Sequence, residues 1–258
     1  MLAIIDADSI GFSIASSIWK QQKDDPEYIH SEKDYYQAIE WFLAGIFEDT
    51  EATESELWLT PKKSFRKILV PEYKSNRKGK EKPPMLGDVV SVMREKFGAK
   101  DADDGFEADD EVGQKALDFW KRDDEDGCVI CSIDKDLDTI PGWHYRWGTF
   151  NRDSKMYFVT QEQAMHFYYV QVLAGDPGDG IKGIPGVGPK KAEHFLKGCV
   201  DEGEYEEACR AAYHEQLSSG LAKNACEEYL LNTMELLKIG KERKESVYRI
   251  IGSDSGDC

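Results

Sequence analysis

The chain has 258 residues, of which 40% are apolar, and its formal net charge is −17 at pH 7. No apolar run approaches the roughly 18 residues of a membrane span, and Asp6 comes too early for a signal peptide, so we expect a soluble, cytoplasmic protein without membrane contact. The negative charge argues against a nonspecific nucleic-acid coat protein, which needs excess Lys and Arg to neutralise phosphates. It leaves room for nucleic-acid contact through local basic patches.

Short apolar runs alternate with helical spacing of apolar residues along the first 160 residues. The predicted elements are a strand at Leu2–Ile5, a helix at Tyr35–Phe47, a strand at Leu57–Thr60, helices at Met85–Phe97 and Glu107–Lys121, a strand at Cys128–Ile133, and weaker strands at Tyr145–Trp147 and Met156–Val159. From Gln161 onward the pattern is mostly helical. Such alternation is typical of an α/β domain with a largely parallel sheet, so we predict a core at residues 1–160 and a helical region at residues 161–258.

Two cysteines lie close together, as Cys128-Val-Ile-Cys131. A structural zinc site would need a second pair of ligands, which is hard to find in this sequence. The pair is therefore interpreted as part of a buried strand, where thiols act as small apolar groups.

A polar segment at residues 71–84 follows the second predicted strand and is expected to be exposed. It carries Lys74, Arg77 and Lys78 next to Tyr73. A run of charges is usually a solvated surface. Beside a phosphodiester cleavage site, however, Lys74 or Arg77 would stabilise charge on the scissile phosphate, and Tyr73 would stack on an unpaired base.

Carboxylates occur in four groups that can converge in a parallel sheet, because ligands bind at the carboxyl ends of its strands. The groups are Asp6 and Asp8; Glu107, Asp109 and Asp110; Asp134, Asp136 and Asp138; and Asp176 and Asp179. Each group alone has an ordinary explanation as a helix cap or a turn. Together they would repel one another without cations, and oxygen ligands suit Mg²⁺ or Mn²⁺. Two such ions would support phosphodiester cleavage.

A glycine-rich segment, Gly183-Ile-Pro-Gly-Val-Gly-Pro-Lys-Lys191, follows the last acidic group. Its glycines allow a nucleic-acid backbone to approach closely, and amides at the start of the next helix can hold a phosphate. The alternative is a dinucleotide-binding loop, which needs a preceding strand and a longer βαβ unit. The predicted contacts to the backbone are Lys182, Gly183, Gly186, Gly188, Lys190 and Lys191.

Together these segments resemble the structure-specific 5′-nucleases, or flap endonucleases, over roughly residues 1–198. The resemblance rests on segments that occur in the family's order: Ile4–Asp8, Pro71–Arg77, Glu107–Asp110, Ser132–Asp138 and Gly175–Ala192. It implies a PIN-like α/β core, a helical arch at about 72–98 and a helix-hairpin-helix element at about 171–198. The small size is similar to that of the bacteriophage 5′–3′ exonucleases, which implies the host cytoplasm as location.

The resemblance also implies ligands, cofactors and partners. Asp6, Glu107, Asp109 and Asp110 would serve a first Mg²⁺ or Mn²⁺ ion, and Asp134, Asp136, Asp176 and Asp179 a second. Lys74 and Arg77 would act on the phosphate with Asp6 and Asp134, while Asp8 and Asp138 would be supporting or structural. The carbonyls of Ile184 and Val187 would hold a K⁺ ion. The expected substrate is DNA with a 5′ flap or 5′ end, with RNA/DNA hybrid as a further substrate, bound by a monomer.

One departure stands out. Where the family usually carries another Asp, at the end of the second strand, this chain has no acid from Leu57 to Arg66, and Thr60 or Pro61 is the nearest equivalent. Two other classes stay open: a DNA-binding module with a degenerate site, and a haloacid-dehalogenase-like phosphatase, which Asp6-Ala-Asp8 superficially matches. A PIN-type ribonuclease or toxin shares the carboxylates but usually lacks the glycine-rich segment.

Overall fold

A central sheet organises the first part of the chain in this computed structural model, which describes residues 1–77, 79, 81–149, 152–218 and 220–240. Its strands are β1 (Leu2–Asp6), β2 (Glu54–Leu59), β3 (Lys100–Asp101), β4 (Cys128–Cys131), β5 (Gly142–Arg146) and β6 (Lys155–Val159). They lie in the order β3-β2-β1-β4-β5-β6, all parallel except β6, which is antiparallel to β5. The predicted α/β class and largely parallel sheet are confirmed.

The register of the central strands brings their carboxyl ends to one edge. Ile5 of β1 pairs with Leu57 of β2 and with Cys131 of β4. Both faces of β1 are covered, and Ala3, Ile4 and Ile5 have no exposed surface, as expected for a buried parallel strand. The residues that follow these strands are therefore neighbours, and Asp6 and Asp134 are among them.

Helices cover both faces of the sheet. They are α1 (Ala7–Asp24), α2 (Glu32–Thr50), a short α3 (Phe65–Leu69), α4 (Leu86–Phe97) and α5 (Ala108–Trp120). One face of the sheet packs with α1, α2 and α4 in a single apolar cluster. The other face packs on α5 together with Ile239, from the far end of the described chain.

One helix of this half lies outside the sequence predictions. The helix α1 was not predicted, although its buried residues Ile10, Ile14 and Ile18 recur every four positions. The helix predicted at Met85–Phe97 is present as α4. One face of α4, with Val89 and Met93, is fully buried in the core cluster, and the opposite face is exposed. The arch at about 72–98 stays a prediction.

The second half is helical around a small hairpin. Its elements are α6 (Gln161–Ala174), an antiparallel pair of short strands β7 (Gly175–Asp176) and β8 (Ile181–Lys182), α7 (Pro189–Phe195), α8 (Glu202–Leu217) and α9 (Lys223–Leu237). It has its own apolar cluster, which includes Leu173 and Tyr213. No helix among the described residues is long and apolar enough to cross a membrane. Residues 241–258 of the predicted helical region lie outside the described residues.

Cys128 and Cys131 are free and buried in β4. Burial raises the pKa of the Cys128 thiol to about 12, as in an apolar setting. The interpretation of this pair as part of a buried strand is confirmed.

Candidate active site

The predicted acidic residues meet at the carboxyl edge of the sheet. Asp136, Asp176 and Asp179 each place one carboxylate oxygen within 4.8 Å of the others. We group Asp134 with them, because its Oδ1 accepts a hydrogen bond from the backbone N–H of Asp136 at 3.0 Å and its carboxyl lies close enough to feel the charges of Asp136 and Asp179. We call these four residues the aspartate cluster.

Local structure fixes these side chains. Asp134 caps the 3-10 helix Lys135–Thr139 that follows β4, and Asp176 Oδ1 accepts from the N–H of Gly178 at 3.0 Å in the β7–β8 turn. Burial, and then the charge of Asp136, raises the pKa of Asp134 and that of Asp176. A raised carboxyl pKa means that the folded protein disfavours the anion here, so the cluster favours a bound proton or cation.

Gln171 is buried against the same cluster. Its Nε2 donates to Asp136 Oδ1 at 2.6 Å, whereas its Oε1 has no hydrogen-bond partner although the residue is 5% exposed. Gln171 lines a cavity of about 20 Å³, together with Asp109, Asp136, Asp176 and Asp179. A space of this size holds about one water molecule, so the acidic lining leaves room for one small hydrated group.

Glu107, Asp109 and Asp110, here called the helix-start group, begin α5. Glu107 is the N-cap, and its backbone N–H donates to Asp110 Oδ2 at 3.0 Å in a capping box. Burial, and then the charge of Asp110, raises the pKa of Asp109 well above its usual value. Burial also acts to raise the pKa of Glu107, but nearby Lys74 and Arg66 lower it overall.

Arg66 of α3 is the cation at the centre of the helix-start group, and sequence reasoning missed it. Its guanidinium makes a two-pronged pair with Asp110, at 2.6 and 2.7 Å, and donates to Glu107 Oε2 at 3.4 Å. Burial would lower the pKa of Arg66, but Asp110 and Asp109 hold it well above its usual value. Both oxygens of Asp110 thus already accept hydrogen bonds from Arg66. To bind a metal ion as predicted, Asp110 would have to give up one of them.

The segment around Tyr73 contacts both carboxylate groups. Tyr73 is 3% exposed. Its hydroxyl lies 2.7 Å from Glu107 Oε2 and 3.1 Å from Asp179 Oδ2, so its single hydrogen is donated to Glu107 or shared between the two. Its predicted stacking on a base is therefore wrong, because the ring is buried. Lys74 Nζ lies 2.9 Å from Glu107 Oε2 and 3.6 Å from Asp179 Oδ2, and Arg77 pairs with the other oxygen of Asp179.

Asp6, Asp8 and Thr60 link the ends of β1 and β2. Asp6 Oδ2 accepts from Ser9 Oγ at 2.6 Å and from Ser132 Oγ at 2.9 Å. Asp8 Oδ2 accepts the N–H of Thr60 at 3.0 Å, while Thr60 Oγ1 accepts the N–H of Ala108 at 2.9 Å. Thr60, at the position of the missing Asp, thus ties Asp8 to the start of α5. Asp138 instead pairs with Arg146 and Tyr157, a structural role.

Replacing Asp8 by Asn is expected to stabilise the metal-free protein increasingly as pH rises. Burial raises the pKa of Asp8 to about 6 from its ordinary 3.8. Between these values the folded state binds the extra proton, so ionisation costs the wild type stability as pH rises, by up to roughly 3 kcal/mol for two pKa units. Urea unfolding in EDTA at about pH 4 and about pH 7 measures this. An advantage of Asn that is equal at both pH values would contradict the assignment.

The glycine-rich segment divides into a packed half and an exposed half. Gly183 is buried, and a Cβ there would meet the backbone N of Gly175 at 2.3 Å. Its predicted contact with DNA is therefore wrong, since the glycine serves packing between β8 and α6. The other predicted DNA contacts of this segment are exposed: Lys182, Gly186, Gly188, Lys190 and Lys191. Lys78 of the basic segment, also predicted to contact DNA, lies outside the described residues.

The chain is similar to known nucleases. It is 30% identical over 212 residues to the exodeoxyribonuclease of Enterobacteria phage T3, covering 76% of this chain and 66% of that protein. The chain belongs to the phage-type 5′-nuclease family. No protein-family model matches it, and it spans between 46% and 66% of the length of the curated relatives it matches.

Solved structures of 5′-nucleases share the fold. The phage T5 5′-exonuclease with bound zinc gives a TM-score of 0.63 at 17% identity, covering 98% of this chain and 97% of that one. The phage T5 flap endonuclease in a complex with DNA and metal ions gives 0.56 at 17% identity, covering 92% and 98%. At such low identity, these matches establish the 5′-nuclease fold of this chain.

Proposed function

We propose that this chain is a divalent-metal-dependent, structure-specific 5′-nuclease that hydrolyses DNA phosphodiesters as a flap endonuclease or 5′–3′ exonuclease. The observation that carries the proposal is the aspartate cluster, with Lys74 and Arg77 beside Asp179. Such a site needs acidic oxygens that can hold a metal ion and basic side chains that can reach a phosphate. The relatives' names point to the same activity.

The aspartate cluster fits a divalent ion. Mg²⁺ or Mn²⁺ takes oxygen ligands at about 2.1 Å, which puts opposite oxygens about 4 Å apart, close to the 4.8 Å limit observed among Asp136, Asp176 and Asp179. Gln171, whose Oε1 has no partner, lines the same cavity, and its amide would hydrogen-bond a water of the ion. The helix-start group, the expected place of a first ion, fits less well, because Arg66 already pairs with Asp110 and Lys74 with Glu107.

The basic segment is suited to the phosphate. A bound divalent ion supplies Lewis-acid stabilisation of charge on phosphate oxygens. Lys74 is held over Glu107 and Asp179, so its ammonium is oriented before substrate arrives, and Arg77 is the exposed cation that turns from Asp179 to the phosphate. Asp6 ends β1 and Asp134 follows the adjacent β4, and the charge of Asp6 contributes to the raised pKa of Asp134 after desolvation and Asp136. We assign both to the catalytic centre.

Substrate binding is proposed to divide between the two halves of the chain. Residues 1–160 would carry the chemistry, and residues 161–258 would hold the duplex backbone through the exposed lysines around Gly186 and Gly188. The carbonyls of Ile184 and Val187 are the proposed K⁺ ligands, although Ile184 O already accepts the N–H of Val187 at 3.0 Å. We propose DNA with a 5′ flap or 5′ end as substrate, RNA/DNA hybrid as a second one, and a cytoplasmic monomer.

A 5′-labelled flap DNA tests the proposal. With Mg²⁺ or Mn²⁺ the purified protein is expected to cut near the junction, and EDTA should abolish cutting. The net charge of −17 should make binding weak and strongly dependent on salt. Tight binding without cutting in either metal would favour the binding module, and hydrolysis of small phosphomonoesters without action on DNA would favour the phosphatase.

A further inference from the structure

The two carboxylate groups differ in how tightly their own cations are held. Beside the aspartate cluster, the side chains of Lys135 and Arg77 are 57% and 55% exposed. In the helix-start group, Arg66 is 2% exposed and Lys74 21%. Exposed cations can swing into solvent when a metal ion arrives, because exposed ion pairs contribute about 1 kcal/mol or less. The buried guanidinium of Arg66 cannot move into solvent in this way.

Arg66 is held by more than the carboxylates. Its Nε donates to the carbonyl of Leu236 at 2.9 Å, and Nη2 donates to that of Lys238 at 3.2 Å. These are among the last carbonyls of α9, where a cation is favoured by the helix dipole. Removing the guanidinium from the group would leave these carbonyls and Asp110 unpaired in a buried setting, which is costly.

Three oxygens of the helix-start group are correspondingly occupied by these cations and by Tyr73. Asp110 gives both oxygens to Arg66, and Glu107 Oε2 accepts from Tyr73, Lys74 and Arg66. At the end of β2, where the family usually has another carboxylate, Thr60 offers a hydroxyl that the N–H of Ala108 already uses. Asp109 is the least engaged member of the group, 4.0 Å from Arg66 and 21% exposed. One such carboxylate offers a divalent ion fewer oxygens than the three of Asp136, Asp176 and Asp179.

We propose that in this chain the Arg66 guanidinium takes the place of the first divalent ion, so that the protein binds a single divalent ion tightly, in the aspartate cluster. This inference rests on the proposed nuclease function. It makes Arg66 a positioning residue, which holds Glu107 and Asp110 as fixed anions around Lys74. Gln171 is a separate observation: it is buried with an unpaired Oε1, its Nε2 contacts Asp136, and it lines a cavity whose acidic lining comes mainly from the aspartate cluster.

Titration of the full chain with Mn²⁺, followed by calorimetry and by the electron paramagnetic resonance signal of free Mn²⁺, tests the stoichiometry. One tight ion per chain is expected. Two ions of comparable affinity would overturn the inference. This measurement uses the wild type and needs no variant to fold.

Two matched substitutions locate the ion. Asp176→Asn is expected to weaken Mn²⁺ binding by at least about 10-fold, as loss of a group at a metal site does, while Asp110→Asn should leave the affinity within about 2-fold. Equal weakening by both would overturn the inference. Flap cleavage by the wild type is measured in parallel. Cleavage with two bound ions refutes only the inference, whereas one bound ion without cleavage in any metal refutes the nuclease.

Discussion

Replacement of Asp134 or Asp176 by Asn is expected to reduce cleavage of flap DNA by roughly 1000-fold, while the protein stays folded. Asp176 gives one oxygen to the candidate cation group, and Asp134 hydrogen-bonds the backbone of Asp136 beside it. In the proposed site both carboxylates hold the ion, and a metal ion contributes several kcal/mol to stabilising charge in the transition state. A loss of about 4 kcal/mol corresponds to three powers of ten in rate. Asn retains the shape and the acceptor oxygen but not the charge that holds the ion.

The fold should gain stability from the same substitutions when metal is absent. The pKa of each carboxyl is raised by desolvation and then by Asp136, so the anion costs the folded protein stability and a neutral amide removes that cost. Asp176 is buried whereas Asp134 is exposed, so the gain is larger for Asp176→Asn. Asp118→Asn is the matched control, since Asp118 is exposed and accepts a hydrogen bond from Gln114 that Asn can keep. Rates equal to wild type in the folded Asp134→Asn and Asp176→Asn variants would refute the site.

The convergence of the aspartates was predictable from sequence. Parallel strands with their carboxyl ends at one edge bring together residues that follow different strands. The sequence therefore predicts that Asp6 and Asp134 are neighbours. For Asp176 and Asp179 the signal is different, because these acids directly precede a glycine-rich segment. These inferences needed only the strand positions and the residue types.

The remaining features depend on contacts that no local pattern encodes. Arg66 pairs with residues more than 40 positions away and with carbonyls 170 positions away. Tyr73 lies in a polar segment that is expected to be exposed. In the structure its ring packs in the apolar cluster of the second half, and its hydroxyl contacts Glu107 and Asp179. The sequence signal near Arg66 is the absence of an acid from Leu57 to Arg66, where the family usually carries an Asp. That absence does not show which carboxylates Arg66 contacts.

Replacement of Arg66 by Met is expected to lower the free energy of unfolding by about 3–5 kcal/mol, the cost of leaving a buried charge unpaired. Met retains much of the length and apolar contact of the Arg stem but none of its hydrogen-bond donors. The carboxylates of Asp110 and Glu107 therefore lose their partner, and so do the carbonyls at the end of α9, those of Leu236 and Lys238. Urea unfolding in EDTA measures this effect without interference from bound metal. Arg94→Met is the matched control, because Arg94 makes an exposed pair with Asp101 at 2.6 Å, and such pairs contribute about 1 kcal/mol or less.

The double variant Arg66→Met/Asp110→Asn separates the charge pair from the other contacts of Arg66. If the loss arises from the uncompensated Asp110 carboxylate, neutralising that carboxylate should restore part of the stability, and the two substitutions should be strongly non-additive. The remaining deficit would then belong to the carbonyls of Leu236 and Lys238, which Asp110→Asn does not touch. Additive effects, or an Arg66→Met protein as stable as the Arg94→Met control, would mean that the guanidinium does not neutralise the start of α5.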